Sequence, residues 1–140
     1  MDSRSIFLPL VVMALLTFVV WGRMFFMRLG QMKRERIHPQ KVATAAQAAA
    51  LLTDSRAADN FRNLFELPVL FYVAVLAAAY MGRVDAVSLG LAWVFVILRI
   101  AHSAIHVTYN RVMHRFYAYA AGGFVLWALW AYLAAGLLNA

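Results

Sequence analysis

Residues 6–27 read IFLPLVVMALLTFVVWGRMFFM, and Arg23 is the one charged residue in the run. A helix rises about 1.5 Å per residue, so these residues cover the roughly 30 Å hydrocarbon core of a bilayer. The leader before the run is thin, with Arg4 offset by Asp2. The run is also longer than the apolar region of a secretory signal, and no small-x-small cleavage site follows it, so it reads as a retained spanning helix. The rest of the chain agrees. Of the 140 residues, 65% are hydrophobic and 14% are charged, against about 45–50% apolar in ordinary soluble domains. Folded as a soluble globule, the chain would leave large apolar patches facing water. The net charge of +7 does not point to nucleic acid. The basic residues cluster just outside the apolar stretches, where membrane topology places them, and no soluble module with a basic face is visible. The chain has no cysteine, so any thiol chemistry must use a substrate's sulfur.

Outward from the first run, Arg28 closes the span, and a basic connector follows with Lys33, Arg34, Arg36 and Lys41. Its second half, Val42 to Leu52, is Ala-rich and reads as a short helix, and Thr53-Asp54 is placed to cap the next one. The second span is assigned to residues 60–81, polar for two turns and apolar from Leu67. The turn Gly82-Arg83-Val84-Asp85 leads to a third span, 86–105. A polar link with Tyr109, Asn110, Arg111 and His114 leads to a fourth, 116–138. The expected fold is an all-α, four-transmembrane-helix bundle in one domain, with consecutive helices antiparallel. Most Lys and Arg lie on the first and third connectors, so these are expected on the cytoplasmic side with both termini opposite. Abundant Ala and Arg in preference to Lys point to a bacterial inner membrane.

Asp59, Arg62, Asn63 and Glu66 fall at i, i+3, i+4 and i+7, one face of a helix. A lone carboxylate where the apolar run begins is costly, and Arg62 one turn back is the expected partner of Glu66. Pro68 removes the N–H that would bond to the Leu64 carbonyl. The third span repeats the offsets with Arg99, His102, Ser103 and His106; an arginine this deep should face the bundle rather than lipid. Two histidines one turn apart invite a metal, but no third ligand is in register and the neighbouring arginines repel cations, so no metal is expected. Arg115 and Tyr119 are spaced i, i+4 at the start of the fourth span. Alone they read as an interfacial anchor and a belt aromatic. Because the spans alternate direction, all three stripes end on one membrane side, with Arg23 and Arg28 among them. Such a region favours an anionic, multi-carboxylate ligand whose ammonium Glu66 or Asp59 accepts.

The series Arg62-Asn63-x-x-Glu66-x-Pro68, Arg99-x-x-His102-Ser103 and Arg115-x-x-x-Tyr119 resembles the MAPEG family across almost the whole chain. That family comprises membrane-associated proteins of eicosanoid and glutathione metabolism, among them microsomal glutathione transferases and the leukotriene and prostaglandin synthases. The resemblance implies a homotrimer with glutathione, as co-substrate, bound between subunits near the cytoplasmic side. It places Arg62, Asn63, Glu66, His102, His106 and Tyr119 at the glutathione site. Arg28, or in the alternative Arg23, stands for the first-span arginine on a glutathione carboxylate. Arg115 is implied as the catalytic residue that stabilises the thiolate, and a cation beside a thiol does lower its pKa. Phe116 stands where the prostaglandin synthase has a serine, His106 where several animal members have a tyrosine, and Asp59 at a position that is basic in some.

Three functions follow for test: a glutathione transferase or peroxidase acting on lipophilic small-molecule electrophiles from the bilayer; a non-catalytic membrane protein whose polar cluster packs the trimer or binds another anion; and a small transporter, disfavoured by the lack of a broken-helix pattern. The topology has its own test. Cysteines introduced singly at Lys33 and Gly82 should react with an impermeant maleimide from opposite membrane faces, Lys33→Cys from the cytoplasm. Labelling of both from one face would overturn the four-span assignment.

Overall fold

The computed structural model describes residues 2–138, and every regular element among them is helical. A 3-10 turn at Ser3–Ile6 feeds α1 (Phe7–Arg34), and a second at Pro39–Val42 precedes α2 (Ala45–Leu51). Then come α3 (Arg56–Asn63), α4 (Leu67–Tyr80), α5 (Ala86–Val107) and α6 (Val112–Leu138). Four segments are long and apolar enough to cross a membrane: Arg4–Arg34, Arg56–Tyr80, Ala86–Val107 and Val112–Leu138.

The helix ends carry recognisable caps. Thr44 and Gln47 form a capping box at α2, and Asp85 and Ser88 form one at α5, each satisfying N–H groups that a helix start leaves unbonded. The first span outruns the expected end at Met27. No proline stands between Arg28 and Arg34, and the single Gly30 is not enough to end the helix, so α1 continues until Arg36 turns to φ 52° and Pro39 follows. Arg28 therefore lies within the helix rather than closing it. Likewise α6 begins at Val112, one turn before Phe116.

The second span is not one continuous helix, contrary to the sequence expectation. The chain leaves helical geometry after Asn63, passes Glu66 at φ −98° and ψ −110°, and resumes at Leu67. Pro68 supplies the reason: it has no N–H for the Leu64 carbonyl, and its ring clashes there. Tight bonds bridge the gap, with Phe65 N to Arg62 O at 2.9 Å and Val69 N to Glu66 O at 3.1 Å.

α5 and α6 form the most extensively packed pair; α1 lies against α3 and α5, and α4 against α6. Although a short turn joins α4 to α5, the two touch lightly, Phe71 stacking on Phe95 at 4.6 Å between ring centroids. The core is otherwise small and aliphatic: Met13, Ala74, Val75, Ala78, Ala92, Val96 and Leu126 are fully buried. Phe18, Phe26 and Phe124 are exposed. Lipid is as apolar as leucine, so cohesion must come from close packing and from hydrogen bonds between helices. Polar residues accordingly lie inside, with Asn60, Ser88, Arg99, His102, Ser103 and His106 all buried.

The end opposite the basic connectors is tied shut. Gly82, at φ 64°, makes the α4–α5 turn, a backbone region that suits glycine. Arg83 Nη2 donates to the Gly136 carbonyl at 2.7 Å, and a Cβ on Gly136 would lie 2.8 Å from the Arg83 Cζ. Asp85 accepts from the Ser88 N–H at 2.9 Å and from the Tyr132 hydroxyl. Tyr132 first, then the Ser88 N–H, hold the Asp85 carboxyl below its ordinary value of 3.8.

A carboxyl depressed by folding stabilises fully above its ordinary value, and the contribution disappears as pH falls through the lowered one. Asp85→Asn keeps the cap acceptor and removes the charge. Its melting temperature should sit below wild type at neutral pH, and the gap should narrow as pH falls through and below the ordinary carboxyl value of 3.8. A gap that persists unchanged into acid would show that the charge of Asp85 does not hold this end.

Candidate functional site

The buried stripe of α5 organises the other end of the bundle. Arg99, His102, Ser103 and His106 occupy one face, and the four are 0%, 3%, 3% and 2% exposed. Each reaches a different neighbour. Ser103 Oγ donates to Asn60 Oδ1 on α3 at 3.1 Å, which ties the polar start of the second span to α5. His102 Nδ1 lies 3.0 Å from the main-chain carbonyl of Arg115. His106 Nε2 lies 3.0 Å from Arg115 Nη1, and the same nitrogen donates to Asn110 Oδ1 at 2.8 Å. Among the described residues, no hydrogen-bond partner meets any guanidinium nitrogen of Arg99; its Cζ stacks 4.8 Å from the Tyr119 ring centroid and 5.5 Å from that of Phe95. An aromatic face attracts a cation, more strongly where water is absent.

Tyr119 passes this arrangement to the protein surface by donating its hydroxyl to Glu66 Oε2 at 3.1 Å. Glu66 thus takes a phenol on α6 as partner. The expected partner, Arg62, lies beside Asp59 instead, at 3.9 Å. The break after Asn63 is the cause: it takes Glu66 off the face it would share with Arg62 in an unbroken helix.

Two cavities divide the residues that sequence reasoning grouped. A shallow groove of about 180 Å³ is lined by Asn63, His102, Val112, Arg115, Phe116 and Tyr119. A separate cavity of about 340 Å³ lies among α1, α2 and α3. Arg28, Arg62, Asp54 and Asp59 give it charge, and Met24, Met27 and the α2 alanines give it an apolar wall. Arg56 bonds both Asp54 carboxylate oxygens, at 2.9 and 2.8 Å, and holds that carboxyl below the ordinary range. Arg23 reaches across to the Val107 carbonyl at 3.5 Å, near the C-terminal end of α5.

Asn63, His102, Arg115 and Tyr119 therefore meet on one surface, and Glu66 joins them through Tyr119. Arg28 and Arg62 line the other cavity. His106 lines neither and lies behind Arg115. Asn60 and Asn110 are partners that the helical offsets do not reveal, and Arg99 stands with the site although the expected ligand-facing set does not include it. A hint existed for Asn110: among residues other than glycine, asparagine is one of those that most readily take a left-handed turn, and its φ is 48°. No group of three or more His, Asp or Glu among the described residues is placed to hold a metal ion.

Chemically, the groove presents a guanidinium whose Nη1 is occupied and whose Nε and Nη2 have no partner among the described residues. A phenol, an imidazole and an amide stand beside it. This is a surface for an anion at the edge of an apolar bundle. Searches of curated protein sequences and of solved structures gave no match. A family model described as the MAPEG family matches residues 6–135. With four apolar spans and this polar helix-end cluster, the chain belongs to the MAPEG family, a family that includes glutathione transferases.

Proposed function

We propose that the protein is a glutathione-dependent transferase or peroxidase of the membrane, acting on lipophilic electrophiles that arrive through the bilayer. The observation that carries this is Arg115, oriented by neighbours and lining an open groove with donors to spare. A cation at fixed distance lowers the pKa of a bound thiol and populates the thiolate at neutral pH. In conjugation the thiolate attacks an electrophilic carbon, the carbon–sulfur bond forms, and the leaving group departs with its electron pair. The thiol proton has by then gone to solvent. Asn63, His102 and Tyr119 would hold the peptide beside Arg115, with Glu66 placed for the ammonium.

A homotrimer fits the split between the two cavities. The groove, at about 180 Å³, is below the roughly 300 Å³ at which small-molecule sites begin. Arg28 and Arg62 lie on a different wall. A ligand touching both sets would lie between one copy's groove and a neighbour's α1. In this reading the basic connectors face the cytoplasm of a bacterial inner membrane, and both termini lie opposite.

A second reading has its own support. Arg99, His102, Ser103 and His106 are almost wholly buried, so the cluster also suits a non-catalytic protein that uses it for packing or for another anionic ligand. One variant separates the two. Arg115→Ala should abolish conjugation of glutathione to a chromogenic halo-nitroarene, whatever the loss of its bonds to His106 and Asn110 costs in melting temperature. In wild type, glutathione at 100 times its dissociation constant should add about 2.7 kcal/mol of stability. A lowered melting temperature with ligand stabilisation unchanged would favour packing, and no stabilisation by glutathione would end the transferase reading.

A further inference from the structure

The loop between α5 and α6 is built more rigidly than a link of its length requires. Thr108 Oγ1 donates to the Ala104 carbonyl at 2.7 Å, and the Asn110 N–H bonds back to the Ile105 carbonyl at 2.9 Å. The Tyr109 hydroxyl meets His114 Nδ1 at 3.2 Å. Within this frame Asn110 sits at φ 48°. An L-residue enters that region at a cost, and asparagine enters it more readily than most. The turn aims the Asn110 side chain so that Oδ1 accepts from Arg115 Nη1 at 2.8 Å.

The second bond to the same nitrogen comes from within the bundle. His106 is 2% exposed and lies 3.0 Å from Nη1 through Nε2. An arginine can only donate, so Nε2 must carry the lone pair and the ring proton belongs on Nδ1. One turn earlier, His102 Nδ1 meets the main-chain carbonyl of Arg115. Arg115 is therefore gripped at its backbone by one α5 histidine and at its guanidinium by the other, with Asn110 completing the hold.

We infer that Asn110 and His106 are positioning residues for Arg115: together they take both N–H bonds of Nη1 and set the plane of the guanidinium, so that Nη2 and Nε are what the groove offers an anion. A planar guanidinium has five donors in a fixed fork. Two bonds at one nitrogen prevent the fork from swinging, and its charge then reaches the anion without reorganisation. On this inference His106 supports the arginine and does not itself contact the ligand. The inference rests on Arg115 being the group that meets the thiolate, as proposed above.

The test uses full-length protein in detergent with three variants. Asn110→Gly keeps the left-handed turn and removes the acceptor. His106→Leu removes the other acceptor, and His106→Gln restores one near the same place. Ultraviolet titration of the bound glutathione thiolate should show its apparent pKa raised by about one unit in Asn110→Gly and in His106→Leu, a tenfold weaker acid dissociation of the bound thiol. His106→Gln should return most of it. Affinity for S-methylglutathione, which has no thiol to ionise, should stay within about twofold of wild type. Titrations that match wild type in both deletion variants would overturn the inference. So would S-methylglutathione affinity falling in step with the thiolate, the mark of a merely structural role.

A readout without ligand separates this inference from the reading beneath it. In nitrogen-15 NMR of arginine-labelled protein, one guanidinium, assigned by its loss in Arg115→Lys, should rotate slowly in wild type and freely in Asn110→Gly. Slow rotation together with no thiolate on the wild-type protein would reject glutathione and retain the positioning pair. Free rotation in wild type would reject the pair.

Discussion

Buried polar groups find no water inside a bilayer, and each must find a partner within the protein or remain costly. The stripe of Arg99, His102, Ser103 and His106 on α5 places that requirement at the centre of this bundle. Ser103 takes Asn60 and so fixes α3; His102 and His106 take Arg115 and so fix the start of α6. Arg99 is held differently, between the rings of Phe95 and Tyr119, and Tyr119 in turn holds Glu66. Interhelical bonds in membranes are worth about 0.6–2 kcal/mol each. Several radiating from one helix face hold both α3 and the start of α6 against α5.

The two ends of the bundle differ in a way that suits a site at one of them. At the Asp85 end, Arg83, Asp85, Tyr132 and Gly136 lock the α4–α5 turn against the last turns of α6. At the other end α3 and α4 are separated by a break, α2 lies outside the spans, and both the groove and the larger cavity open. Close packing at one end and polar, incompletely filled space at the other is an arrangement in which a ligand or neighbour completes the structure without disturbing the core.

The break after Asn63 has the largest consequence of any local feature. In an unbroken helix Asp59, Arg62, Asn63 and Glu66 would form one continuous stripe. Pro68 interrupts it, so Arg62 turns with Asp59 toward α1 and α2, while Glu66 turns toward Tyr119. Asn63, the last helical residue, lines the groove. One short motif thereby supplies residues to two surfaces rather than one.

Hydrophobic run lengths and the placement of charges were enough to establish the class, the number of spans and which helix ends are polar, because bilayer thickness imposes a minimum length that no soluble helix needs to meet. The offsets of Arg99, His102, Ser103 and His106 were likewise legible, since 3.6-residue periodicity alone puts them on one face. The pairings were not legible. Glu66 with Tyr119, Arg115 with Asn110, and Ser103 with Asn60 join residues from different helices, or through a left-handed turn. Each depends on where the α3–α4 break and the α5–α6 loop point the chain. Helical periodicity says which side chains share a face; which face meets which is set by packing, and only the tertiary structure decided it.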